Sequence, residues 1–142
     1  MMGLWTSTDT DERYVELWVP VLLKKGWPAV RAAIVRGSTT PPAKLTLEQI
    51  TVGVAGAIIV GATRGHPDAE IPGKVQRWIK ANQSKLRPAL VPLALRAVHR
   101  AIEFYADIWG EGDESFGYQT AAVELCRALG EVEGDGRDAP ES

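Results

Sequence analysis

The chain has 142 residues, the size of one domain, and its 45% hydrophobic and 24% charged residues are ordinary values for a soluble globular protein. Its single cysteine, Cys126, excludes an internal disulfide framework and favours a reducing compartment. The N-terminus lacks the basic region of a signal peptide and soon reaches acidic residues, so we expect a cytoplasmic protein.

The formal net charge of −2 hides a strong segregation of charge along the chain. Residues 1–63 carry +1, residues 64–100 carry +6 and residues 101–142 carry −9. Opposite charges are most stable close together, so the basic and acidic segments are expected to neutralise each other. If they do so between chains, the basic segment of one copy meets the acidic segment of another in a homodimer.

The first predicted helix follows a flexible N-terminus of residues 1–8 and begins near Asp9 or Thr10. Pro20 is expected to kink this helix, and Gly26 to end it. The spacing i, i+3, i+4, i+7, i+8 predicts an inward face. Its residues are Tyr14, Leu17, Trp18, Val21 and Leu22.

A second short helix is predicted over residues 28–36, with Pro28 in its first turn. It offers Val30, Ala33 and Ile34 to the core. The following residues, 37–44, have the sequence GSTTPPAK and are predicted to form a loop because of their Gly, Ser, Thr and Pro content.

Residues 46–63 are predicted to form the central helix of the fold. Thr46 and Gln49 match a capping box, and residues 50–63 carry no charge on any side of a helical wheel. A strand over residues 58–60 is the alternative, because short apolar runs are ambiguous. Fourteen uncharged residues fall short of the about 20 that span a membrane, so we predict a buried helix and no membrane association. Three glycines predict close approach of neighbouring helices: Gly53, Gly56 and Gly61.

Three further helices are predicted after a loop at residues 65–73. The first covers residues 74–84 and turns Val75, Trp78 and Ile79 inward. The second begins between Pro88 and Pro92, ends at Gly110 and carries one apolar stripe. That stripe is Ala94, Ala97, Val98, Ala101, Ile102, Tyr105, Ile108 and Trp109.

The last predicted helix begins at Asp113 or Ser115 and ends at Gly130. Its shared face is formed by Tyr118, Ala122, Leu125 and Leu129. Residues 131–142 are acidic and poor in apolar side chains, which predicts a disordered tail. The sequence therefore predicts an all-α fold: a single helical domain, residues 9–130, forming a bundle of five to six helices around the central apolar helix.

Two groups of side chains are candidates for metal or acid–base chemistry. His99, Glu103 and Asp107 stand at i, i+4 and i+8 on one ridge of a helix, a spacing that can hold a divalent metal. The ridge lies opposite the apolar stripe, however, so a solvated face is the favoured interpretation. The second group lies in a loop, where its imidazole and carboxylates are more often solvated than functional. It comprises His66, Asp68 and Glu70.

A basic face over residues 74–87 is a candidate surface for phosphate groups or for a protein partner. Its main cations are Lys74, Arg77, Lys80 and Arg87. Two tryptophans, Trp5 and Trp27, flank predicted element ends, where exposed aromatics anchor partners. Overall acidity argues against nucleic acid, and binding through this face would show as steeply salt-dependent retention on heparin.

The residues favour a small protein-binding or regulatory module that binds another protein or itself, without catalytic activity or a cofactor. The sequence contains no glycine-rich phosphate loop, zinc-ligand spacing or nucleophile elbow. The alternatives are a small-molecule- or metal-dependent enzyme that uses one of the two polar groups, and nucleic-acid binding through the basic face.

Overall fold

The computed structural model describes residues 5, 9–66, 68, 70–109 and 113–131. These residues form six α-helices and contain no strand, so the predicted all-α single-domain bundle is confirmed. The helices are α1 (Asp9–Lys25), α2 (Trp27–Thr39), α3 (Leu47–Thr63), α4 (Gly73–Asn82), α5 (Leu90–Trp109) and α6 (Asp113–Cys126). Short 3₁₀ turns cover Pro42–Lys44 and Gln83–Lys85, and a wider helical turn, Arg127–Glu131, follows α6.

Helix α3 is the centre of the bundle. Every residue from 53 to 61 is buried, and α2 and α5 pack along it most extensively. The capping box is present: Gln49 N donates to Thr46 Oγ1 at 3.2 Å, and Thr46 N donates to Gln49 Oε1 at 3.0 Å. The strand alternative at residues 58–60 is therefore wrong, and the predicted dry helix is confirmed.

Helices α2 and α3 cross where two glycines meet. A Cβ built on Gly53 would lie 3.1 Å from Gly37 Cα, and one on Gly37 would lie 3.2 Å from Gly53 Cα. A Cβ on Gly56 would lie 2.9 Å from Ile34 Cγ1, and one on Gly61 would lie 2.6 Å from Leu125 Cδ1. The predicted close approach of neighbouring helices is confirmed at all three glycines of α3.

The prediction of a loop over residues 37–44 is wrong at its start, because α2 continues to Thr39. Gly37 is buried within this helix at its crossing with α3. The side chains of the next two residues bond to the helix itself, since Ser38 Oγ and Thr39 Oγ1 donate to Val35 O at 3.3 and 2.7 Å. Residues 37–39, whose composition is typical of loops, thus form the end of a helix here.

The predicted inward face of α1 is wrong for two of its five residues. Leu17 is 69% exposed and Val21 is 41% exposed. Among the described side chains of this helix, the buried ones are Leu22, which was predicted to face inward, and Val15 and Val19, which were not. Apolar residues surround α1 almost completely, so their spacing did not decide which side packs against α3.

The inward faces of the other helices agree with the predictions wherever the structure describes their side chains. The core receives Val30, Ala33 and Ile34 from α2, Val75 and Ile79 from α4, Ala94, Ala97, Val98 and Ala101 from α5, and Ala122, Leu125 and Leu129 from the C-terminal segment. The predicted stripe residues Tyr105, Ile108, Trp109 and Tyr118 lie outside the described side chains. Residues 1–8, which were predicted to be flexible, also lie outside the described residues except for Trp5, as does the predicted tail beyond residue 131.

Within the described part of the chain, none of the helices combines the length and the apolar character needed to cross a membrane.

Candidate functional site

The ridge on α5 presents two of its three predicted ligands to solvent. His99 and Glu103 are exposed, and the side chain of Asp107 lies outside the described residues. Among the described residues, no three His, Cys, Asp or Glu side chains come together as a metal site would require. A metal on this ridge stays a prediction that the structure does not test.

Asp68 stabilises the backbone of the loop between α3 and α4 through hydrogen bonds. Asp68 Oδ1 accepts a hydrogen bond from Glu70 N at 2.9 Å, and Asp68 O accepts one from Ile71 N at 3.1 Å. His66 is half-buried, and its backbone N donates to Gly61 O at 2.9 Å. These contacts form a turn that leads from α3 into α4. A role of this loop in acid–base or ligand chemistry stays a prediction.

The cations of the predicted basic face lie on the outside of α4 and just beyond it. Lys74, Arg77, Lys80 and Arg87 are all exposed. Trp27, at the start of α2, lies beside this face, because its ring stacks on Trp78 with a centroid separation of 5.2 Å and a tilt of 58°. Trp27 Nε1 also donates to Asn82 O at 3.0 Å, so this residue joins α2 to α4.

The expectation that Trp5 is exposed is wrong. Its side chain is 3% exposed and belongs to the buried apolar cluster. The physical reason is the large apolar area of an indole ring, which favours burial wherever the chain can fold back onto the core. Trp5 is therefore removed from the set of candidate anchors for a partner.

A groove between α1, α2 and the start of α3, here called the apolar groove, was missed by sequence reasoning. Its volume is about 720 Å³. It is lined by Tyr14, Leu17, Trp18, Val21, Lys25, Pro28, Ala29, Ala32, Ala33, Arg36, Thr46, Glu48, Gln49 and Val52. A usable signal existed in the sequence: α1 carries apolar residues on more sides than one packed face can bury.

The apolar groove combines a protruding ridge with a shallow recess. Leu17 and Val21 lie one helical turn apart on α1 and are both exposed, so they form the ridge. Along α2 the lining side chains are Pro28, Ala29, Ala32, Ala33 and Arg36, and the three alanines form the recess. The lining also contains charges of both signs, contributed by Lys25, Arg36 and Glu48.

A second groove, here called the basic groove, has a volume of about 610 Å³ and lies between α2 and the start of α5. Its lining is Trp27, Pro28, Arg31, Ala32, Lys85, Arg87, Ala89, Leu90 and Leu93. Three cations thus surround apolar side chains, with no carboxylate among the described residues that line it. The sequence indicated Arg87, but Arg31 belongs to a different helix and joins the group only through folding.

Comparison with known proteins finds no matching family model, no similar curated protein and no similar solved structure. The fold is that of an all-α helical bundle.

Proposed function

We propose that this protein is a helical protein-binding module that associates with a second copy of itself through the apolar groove. The observation that carries the proposal is the exposed pair Leu17 and Val21 beside the alanine recess of α2. Burial of apolar surface stabilises by roughly 25 cal/mol per Å², so an exposed aliphatic ridge favours association.

A second copy suits this surface because the surface is complementary to itself. In a two-fold symmetric dimer the same patch lies on both sides of the contact. The ridge formed by Leu17 and Val21 of one copy then packs into the alanine recess of the other. Small side chains in the recess allow the two helices to approach closely, as Gly37 and Gly53 already do inside the bundle.

Charge complementarity supports the same arrangement. The groove lining carries two cations, Lys25 and Arg36, and one carboxylate, Glu48. In the proposed two-fold dimer Glu48 of one copy faces a cation of the other, so two opposite-charge pairs form and one cation of each copy stays at the rim. Charges at the rim of a contact set its register and orientation more than its affinity.

Sedimentation equilibrium of the full chain and of Leu17→Glu tests this proposal. The unchanged chain is expected to dimerise, and Leu17→Glu to weaken the dimer at least tenfold, since a carboxylate would be buried in an apolar contact. The control is Val123→Glu. It places the same charge at a valine that is 42% exposed and lies outside the apolar groove. Its dimer is expected to be unchanged.

The salt dependence distinguishes this dimer from one held by the charged segments. An apolar contact persists at high ionic strength, whereas pairing of residues 64–100 with residues 101–142 is screened. A chain that stays monomeric at low and high salt, even at high concentration, would refute self-association. Equal weakening by Leu17→Glu and Val123→Glu would refute the apolar groove as its site.

A further inference from the structure

The described chain ends against the first turn of α5, across that helix from the basic groove. A Cβ built on Gly130 would lie 4.0 Å from Val91 Cγ1, in the first turn of α5. Leu90 and Leu93 of the same turn line the basic groove. The C-terminal segment is tied down just before this point, because Arg64 Nε donates to Ala128 O at 3.2 Å. Val91 and Leu93 are two positions apart in α5, so their side chains point to opposite sides of the helix, and Gly130 lies about one helix diameter from the groove.

The sequence that leaves from this point is acidic. Residues 131–142 read EVEGDGRDAPES, with five carboxylates and a single cation, Arg137. The three cations of the basic groove are all exposed, so their charges face outward. An extended chain covers about 3.3–3.6 Å per residue, so a few residues suffice to travel from Gly130 to the groove.

We propose that residues 131–142 occupy the basic groove of their own chain, with their carboxylates against Arg31, Lys85 and Arg87. The segment is tethered to the same chain, about one helix diameter from the groove, which gives it a high effective concentration there compared with any free partner. Exposed ion pairs are individually weak and are screened by salt, so the contact is reversible.

This inference does not depend on self-association through the apolar groove, although Pro28 and Ala32 of α2 line both grooves. The experiment is therefore done in the full chain and repeated with Leu17→Glu, the variant expected to be monomeric. A contact within one chain gives the same result in both.

Paramagnetic relaxation measured by NMR tests the contact directly. A nitroxide is attached at Ala139→Cys, and Cys126, 1% exposed, is shielded from the label. At low salt the amide signals of Arg31, Arg87 and Leu90 are expected to be lost, and to return when the nitroxide is reduced. At high salt the loss is expected to disappear, because the ion pairs are screened.

Two triple variants locate the contact. Replacing Arg31, Lys85 and Arg87 by Gln is expected to abolish the signal loss. The matched control replaces three exposed cations of α4 by Gln and is expected to leave the loss unchanged; these are Lys74, Arg77 and Lys80. Both variants remove three positive charges, so a non-specific effect of net charge would appear in both and would overturn the proposal.

Three other outcomes would also overturn it. One is retention of all amide signals in the labelled chain at low salt. Another is signal loss confined to α4. The third is signal loss in an isotope-labelled chain mixed with a spin-labelled, isotope-free chain, which would show that the acidic segment reaches a second copy instead of its own chain.

Discussion

At the crossing of α2 and α3, Gly53 has no room for a side chain. A Cβ there would lie 3.1 Å from Gly37 Cα and 3.3 Å from Ala33 O, and both atoms belong to backbone that cannot rotate away. Overpacking of this kind costs about 1–3 kcal/mol, and it outweighs the helix propensity of up to about 1 kcal/mol that alanine gains over glycine. Gly53→Ala is thus expected to lower the free energy of unfolding, measured in urea.

The control for this prediction is Gly73→Ala, in the exposed first turn of α4. Its Cβ would meet only the end of the Arg77 side chain, at 3.5 Å, an ordinary contact that a flexible group accommodates. This variant is expected to be at least as stable as the unchanged chain, because alanine is the better helix former. A Gly53→Ala protein with equal or greater stability would show that the two helices separate without cost.

Trp27 supplies a hydrogen bond that no other aromatic residue at this position would make. Trp27→Phe keeps a ring against Trp78 but removes the bond from Nε1 to Asn82 O, 3.0 Å long and partly buried. A bond of this kind is worth about 1 kcal/mol, so chemical denaturation is expected to show a loss of that order. Trp78→Phe alters the same ring pair and leaves that bond in place, so a loss as large as that of Trp27→Phe would contradict this role.

Single residues in the sequence predicted where helices approach closely, but not which residues they contact. The three glycines of α3 predicted close approach, because glycine is unfavourable in a helix unless space is limited. That Gly53 meets Gly37 could not be read from the sequence, since the pairing depends on how two helices cross in three dimensions. Trp5 was misplaced for the same reason: its burial depends on the path of the chain back to the core.

At the scale of whole elements, the start of α3 depends on its capping box. Thr46→Ala removes the oxygen that accepts from Gln49 N, and the loss of such a cap costs about 0.5–2 kcal/mol. Thr46→Ser keeps an acceptor at the same position and is expected to retain most of the stability. Thermal unfolding of the two variants checks this, and equal losses would mean that the threonine methyl, and not the cap, stabilises the helix.

Helix type and order were predictable, whereas the orientation of α1 was not. In α5 the apolar residues occupy one side, so periodicity identified Ala94, Ala97 and Val98 as buried. In α1 they occupy nearly every side, and the same method placed Leu17 and Val21 inward. The protein buries Val15 and Val19 instead, which leaves Leu17 and Val21 to form the ridge of the apolar groove.

Across the whole molecule, the two grooves are products of folding. The basic groove unites Arg31 of α2 with Lys85 and Arg87, which lie more than fifty positions later in the sequence. The charge segregation was visible in the sequence and pointed to an acidic partner for a basic region. The structure brings three cations together around apolar side chains, and the described chain ends across α5 from them.

The same architecture predicts which part of the bundle opens last. Helix α3 has the glycines of a poor helix former, each costing about 1 kcal/mol, but it is enclosed on all sides. Helix α4 buries only Val75 and Ile79 among its ten residues. Local opening is easiest where few apolar contacts are lost, so amide exchange is expected to be slowest in α3 and much faster in α4.

Native-state hydrogen exchange, measured for each amide, tests this predicted order of opening. The amides of residues 53–61 report on the centre of the bundle. If burial determines protection, those amides exchange only through global unfolding, and their apparent opening free energy equals the free energy of unfolding in urea. If intrinsic helix propensity determines it, the glycine-rich centre exchanges before α4 does. That second order would contradict a bundle organised around α3, because a central helix cannot open while the helices packed on it stay closed.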